Sequence, residues 1–171
     1  RKDSPTQKVG GEVIEKFAKI KHEKPMLSLS NVFNEEEIDA FIKRIEESGL
    51  KPEYVCEMKF DGLSVSLVYK NGILVSGATR GDGVIGEDIT HNAMVIPSIP
   101  KQINYLDELI VDGEIICTYK DFENFKDEYK NPRNFAAGSI RLLDPKESYS
   151  RKLTFVAWDI IEGFEETNFL D

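Results

Sequence analysis

Leu63-Ser64-Val65-Ser66-Leu67-Val68-Tyr69-Lys70 and Ile73-Leu74-Val75-Ser76-Gly77-Ala78-Thr79 flank the dipeptide Asn71-Gly72. Two strand-like runs joined by Asn-Gly form the strongest short-range hairpin signal a sequence can carry. Working outward, Tyr54 to Phe60 reads as a strand before the hairpin, and Leu109 to Cys117 as another after it. Leu153 to Ile161 is near-continuously apolar, the pattern of a strand buried on both faces. Helical signals are interspersed. Asn34 with Glu37 predicts a capping box, and Ile38, Phe41, Ile42 and Ile45 recur at helical spacing before Gly49 closes the helix. Short helices are expected over Val13 to Ile20 and Ile89 to Ile96. Thr118 with Asp121 opens another carrying Phe122, Phe125 and Tyr129, and a small-residue helix runs from Asn134 to Leu143, stopped by Asp144-Pro145. Pro25 to Asn31 reads as an ordered loop. Antiparallel hairpins with interspersed helices give an α+β class.

The 171 residues suffice for one domain with a real core and are marginal for two. Hydrophobic residues make up 40% and charged residues 31%, so the chain is globular and not disordered. There is no run of membrane-span length and no signal-peptide pattern, which predicts no membrane partner. Cys56 and Cys117 both fall in strand-like runs without a C-x-x-C partner, so they read as reduced and buried, in a cytoplasmic protein. His22 and His91 lack zinc-ligand spacing. A net charge of -9 argues against a simple electrostatic DNA clamp. Arg133, Arg141, Lys146, Arg151 and Lys152 nevertheless concentrate positive charge late in the chain, as either a local patch or a solvated face. Residues 1–11, with Ser4-Pro5 and Gly10-Gly11, read as a linker or arm.

Four stretches carry chemistry. In Glu57-Met58-Lys59-Phe60-Asp61-Gly62 a lysine alternates with two acids, and on a strand all three would share a face. That suits a lysine nucleophile with one acid assisting deprotonation or holding a metal; it equally suits an exposed edge with charge pairs. Thr79-Arg80-Gly81-Asp82-Gly83 with Gly86-Glu87-Asp88 has the glycines of a phosphate cradle, but it lacks the Lys-Ser/Thr ending of a P-loop, and its acids would repel phosphate unless a metal intervenes. A tight turn between strand and helix is the alternative. Glu114 interrupts the apolar run Val111 to Ile115, so it is paired, metal-linked or at a solvent edge. In Asn131 to Arg141, small residues permit close helix packing, and Arg133 and Arg141 supply forks for phosphate oxygens or lie on the surface.

Taken together, Ser28-Leu29-Ser30-Asn31, Cys56 to Gly62, Thr79 to Asp88, Asp112-Gly113-Glu114 and Asn131 to Pro145 resemble bacterial-type NAD-dependent DNA ligases, in the order of their adenylation domain. The resemblance runs from about Ser4 to Ile161. It implies the nucleotidyltransferase fold of ATP-grasp-like ligases, incomplete on the C-terminal side, with residues 12–171 as a partial adenylation domain. It implies that Lys59 attacks the adenylyl phosphorus of NAD, forming lysyl-AMP as nicotinamide mononucleotide leaves, for later transfer to the 5′-phosphate of a nick in double-stranded DNA. Asp61 and Glu114 match acids that organise Mg2+, through water, and Glu114 also lies by the ribose. Ser28, Leu29 and Glu57 match the adenine and nucleoside pocket, Arg80 a nucleotide contact, and Arg133 and Arg141 the contacts to nucleic-acid phosphate. An ordinary lysine is protonated at neutral pH, so attack requires desolvation or a nearby cation to favour the free amine.

The complete ligases carry an upstream module for the nicotinamide mononucleotide half, two later lysine-bearing strands, an OB-fold, a zinc module and helix-hairpin-helix repeats. None is found in this sequence, which begins with Arg1 and reads as a fragment, an excised domain or a processed piece. The expected partners are therefore nicked DNA, NAD, and the missing domains or a partner chain. Two alternatives stand beside the ligase reading. One is an ATP-dependent nucleotidyltransferase of the RNA ligase or capping type, which shares K-x-D-G. The other is a non-catalytic or partner-dependent nucleotide-binding subunit.

Overall fold

The computed structural model describes residues 17–26 and 30–164. The chain divides into two compact units: among the described residues the first holds 17–26 and 60–164, the second 30–59.

The first unit is built on a four-stranded, wholly antiparallel sheet of order β3-β2-β5-β6. Its strands are β2 (Leu63–Lys70), β3 (Ile73–Thr79), β5 (Leu109–Ile116) and β6 (Thr154–Glu162). A separate two-stranded ribbon pairs β1 (Lys19–Lys21) with β4 (Ile85–Glu87). The predicted β2–β3 turn is present: Asn71 and Gly72 have φ of 52° and 75°, the left-handed pair that a two-residue turn between twisted strands requires. Val65, Leu67 and Tyr69 of β2, spaced two residues apart, and Leu109 and Ile115 of β5, six apart, project into the core. Against them pack residues of α2 (Thr90–Ala93), α3 (Tyr119–Phe122) and α4 (Pro132–Ser139). Phe135 is fully buried, with Phe125 stacked on it at 4.4 Å and Phe122 and Tyr129 edge-on at 6.0 and 5.0 Å. Truncating such a ring costs roughly 3–5 kcal/mol.

Several expectations are corrected. Lys19 and Ile20 are strand, not the end of a helix, because β4 supplies their ladder; residues 13–16 lie outside the described residues. The helices after the glycine-rich loop and after Thr118 are single turns, although Thr118 caps its helix as predicted by accepting from Asp121 N–H. The small-residue helix starts earlier, at Pro132, with Asn131 as cap, and ends at Ser139. Pro145 does not merely stop a helix. It opens α5 (Pro145–Ser150) at the first position, where its missing N–H costs nothing, with Asp144 as cap.

In the second unit, α1 (Glu35–Glu47) matches its prediction. Asn34 Oδ1 accepts from Glu37 N–H at 2.9 Å, Glu37 Oε2 accepts from Phe33 N–H at 2.9 Å, and Gly49 has φ of 83°. None of its residues is buried, its apolar stripe included. The expected strand Tyr54 to Phe60 is absent: residues 50–61 form no regular structure, and 51–59 are all exposed. Tyr54, Cys56, Met58 and Phe60 do alternate, with the charged Glu57 and Lys59 between the last three, but a strand exists only where a neighbour completes its hydrogen bonds, and among the described residues no strand pairs with this stretch. Cys56 is accordingly exposed, whereas Cys117 is buried, its thiol pushed up to about 11 by burial first and by Asp121 second.

Candidate active site

In an antiparallel sheet of this order, the start of β2, the end of β3 and the end of β5 lie at one end. Most of the predicted residues of the first unit gather there. Ser64 and Glu114 are direct partners in the β2–β5 register. Ser64 Oγ donates to Glu114 Oε2 at 2.8 Å, and the Gly62 N–H donates to Glu114 Oε1 at 3.2 Å. Glu114 is thus neither a bare edge charge nor a buried orphan; each oxygen of its half-buried carboxylate has a donor. Gly62 must be glycine for steric reasons, since a Cβ there would stand 2.2 Å from the Ile115 carbonyl oxygen.

Asp61, just before this turn, is exposed and pairs with Arg133 Nη1 at 3.3 Å. An exposed pair of this kind contributes little to stability. Arg80 follows β3 and is held by its backbone: its N–H donates to the Ser64 carbonyl at 2.9 Å, and its carbonyl accepts from His22 Nε2 at 3.2 Å. His22 Nε2 also meets the Thr79 carbonyl at 3.1 Å. Facing two acceptors, that nitrogen carries the proton.

The acids of the glycine-rich loop have structural partners. Asp82 Oδ1 accepts from Ile85 and Val84 N–H at 2.7 and 2.9 Å, and these bonds hold its carboxyl below the usual 3.8. Asp88 Oδ1 caps Thr90, and Glu87 pairs with Arg141. The loop is therefore a braced turn entering β4, not a phosphate cradle. Deeper in the sheet, Asp112 is buried, with Oδ1 lacking a partner among the described residues. Burial raises its pKa above the usual 3.8, and Ser66 opposite it, then His22, pull the other way. The late basic cluster is largely neutralised: Arg133 is paired with Asp61, Arg141 with Glu87, and Arg151 with Glu147 while lying over the Phe125 and Phe135 rings.

Lys59 and Glu57 belong to the second unit, where both are exposed and in irregular backbone. The predicted shared strand face for Glu57, Lys59 and Asp61 is not realised, because no strand forms there. Ser28 and Leu29 lie outside the described residues. Sequence reasoning missed Ser64, His22 and Asn92. Ser64 was within reach, because period-two alternation on β2 puts it opposite the strand acid once the two strands pair.

Among the described residues no three His, Cys, Asp or Glu side chains group to hold a metal. Two carboxylates with hydrogen-bonded or ion-paired oxygens suit a magnesium ion that keeps its own waters and arrives with a phosphate, not a closed cage of direct ligands.

Comparison with known proteins identifies the family. Residues 14–169 match the family model of the NAD-dependent DNA ligase adenylation domain. The chain is 48% identical to the DNA ligase of Clostridioides difficile (strain 630) over 97% of its own length and 26% of that protein. It is 52% identical to the DNA ligase of Mycoplasma capricolum subsp. capricolum over 88% of its length and 24% of that protein. With the DNA ligase of Shouchella clausii the identity is 46% over 94% of the chain. The chain belongs to the NAD-dependent DNA ligase adenylation-domain family, and spans about a quarter of the length of the relatives it matches.

Proposed function

We propose that this chain is the AMP-accepting part of an NAD-dependent DNA ligase, with the nucleotidyltransferase fold of that group. The neutral amine of Lys59 attacks the adenylyl phosphorus of NAD. A phosphorus–nitrogen bond forms as the phosphorus–oxygen bond to nicotinamide mononucleotide breaks, and the AMP passes later to the 5′-phosphate of a DNA nick. The observation that carries this reading is the clamped Glu114: Gly62 and Ser64 tie the strand acid to the turn that directly follows Lys59-Phe60-Asp61. Such a carboxylate is pre-oriented and needs no reorganisation when charge develops. Glu57, Ser28 and Leu29 read the adenine and nucleoside, and Arg80 contacts the nucleotide. Asp61 and Glu114 hold Mg2+ through its waters, and Arg133 and Arg141 engage nucleic-acid phosphate. Bound magnesium would offset phosphoryl charge and favour the free lysine amine. Membership of the NAD group speaks against the ATP-using capping alternative. Two free cysteines agree with a reducing, cytoplasmic setting.

The test is incubation with NAD and peptide mapping for an AMP adduct. The chain alone is expected to bind AMP weakly and react slowly or not at all, because in-line positioning can account for roughly 7–11 kcal/mol of a barrier. A ligase-length protein containing it is expected to load Lys59 fully. An adduct on another residue, or none in the longer protein, overturns the proposal.

A further inference from the structure

Arg141 is fixed at three points, all supplied by its neighbours in the fold. Its Nε donates to Glu87 Oε2 at 2.5 Å, and its Nη1 donates to the Ala137 carbonyl at 2.9 Å. The carbonyls on either side of it, Ile140 and Leu142, both accept from Nδ2 of the fully buried Asn92, at 2.5 and 2.7 Å. Glu87 is itself anchored, since its N–H donates to Thr79 Oγ1 at 3.0 Å and its strand pairs with β1. Its side chain is 17% exposed and that of Arg141 is 29% exposed. A guanidinium offers five N–H donors in one plane. Here the Nε edge is taken, while the Nη2 protons have no partner among the described residues.

We propose that Glu87 is a positioning residue for Arg141: it locks the guanidinium plane so that the opposite edge is presented to a phosphate oxygen of nucleic acid. This rests on the functional reading above. The alternative assigns Glu87 the opposite effect. A carboxylate this close cancels most of the arginine's long-range attraction for a polyanion, so if only charge mattered, removing Glu87 would tighten DNA binding. Orientation outweighs charge here, because a bidentate fork needs its plane set before contact. The acid of the glycine-rich loop thereby acquires a role that neither a cradle nor a bare turn explains, and the Thr79 to Asn92 stretch becomes the mount of the second arginine.

The test uses a ligase-length protein containing this chain, with Glu87→Gln, Glu87→Asp, and the double exchange Glu87→Arg with Arg141→Glu. Lysyl-AMP formation from NAD, single-turnover sealing of nicked DNA from preformed lysyl-AMP, salt dependence of DNA binding and thermal midpoint are read in each. Glu87→Gln is expected to form lysyl-AMP as the parent does yet seal about 10–100-fold more slowly, the scale of a misplaced contact. Glu87→Asp keeps the charge, folds, and loses several-fold of the sealing rate; it carries the test if the Gln variant is unstable. The double exchange restores the thermal midpoint but not sealing, which a merely structural ion pair would not predict. Parental sealing by Glu87→Gln overturns the inference. So does tighter DNA binding with a salt slope steeper by about one phosphate contact, or sealing restored by the exchange. Absence of lysyl-AMP in the parent protein instead defeats the functional reading, and the inference with it.

Discussion

Ser64 and Glu114 face each other across the β2–β5 pair, and the serine hydroxyl donates to the carboxylate at 2.8 Å. With Gly62 N–H on the other oxygen, the acid is held by one hydroxyl and one backbone N–H at the start of β2 and has little freedom to turn away.

Ser64→Ala should therefore cost about 1 kcal/mol of stability, the net worth of one hydrogen bond, and should raise the magnesium needed for half-maximal adenylation in a ligase-length protein. Glu114→Gln and Asp61→Asn should each weaken the magnesium dependence further. Asp61→Asn should barely alter stability, because its pair with Arg133 is exposed. Magnesium titrations that are unchanged for both acid variants would make those acids structural only.

Gly62→Ala tests the backbone approach on which the clamp depends. Its Cβ would sit 2.2 Å from the Ile115 oxygen, so β2 and β5 must part at their site end. A loss of about 2–3 kcal/mol in urea unfolding is expected, the upper range for overpacking. The Glu114 bond should be lost with it. A neutral Gly62→Ala would mean that the strands separate freely there.

Lys59→Ala should abolish AMP transfer and leave folding unaltered within about 0.5 kcal/mol, since the side chain is exposed in irregular backbone. Mass spectrometry after NAD treatment decides the first point and thermal unfolding the second. An amine-linked AMP persisting in the variant contradicts the assignment.

Asp112→Asn should stabilise the first unit at neutral pH and lose that advantage in acid. Burial raises the Asp112 pKa above its usual 3.8, so the folded state binds the proton more tightly than the unfolded one. Stability is then highest below the unfolded value and falls as pH rises through the folded value, beyond which the ionised group remains a penalty. Thermal midpoints of both proteins from about pH 3 to 8 should converge at the acidic end. A constant difference across that range would assign the effect to packing.

What could be read from the sequence was local. Asn71-Gly72 dictates its hairpin, and Asn34 with Glu37 dictates the start of α1, because both signals act within four residues. Asp61, Glu114 and Arg133 stand out by residue type and spacing, whereas Arg80 is singled out only through the family resemblance. The ribbon of β1 and β4 could not, because each strand has three residues and exists only through its distant partner. Tyr54 to Phe60 failed for the converse reason: alternation was present and a ladder was not. Pro145 was read as a terminator when the same ring also suits the first position of the next helix. The partners of Glu114, Glu87 and Asn92 depend on register and packing between elements, which no single window contains.

The Ser64–Glu114 bond joins positions 50 residues apart. The β2–β3 hairpin can close early and cheaply, but this contact must wait for a long loop to be gathered in, and contacts of that span form late. The β2–β3 hairpin can therefore close before the β2–β5 pairing that brings Ser64 and Glu114 together. If the proposed function holds, a chain whose β2 and β5 have not paired carries Lys59, Asp61 and Glu114 without the Gly62 and Ser64 bonds that orient the strand acid, so AMP loading would report that this pairing is complete.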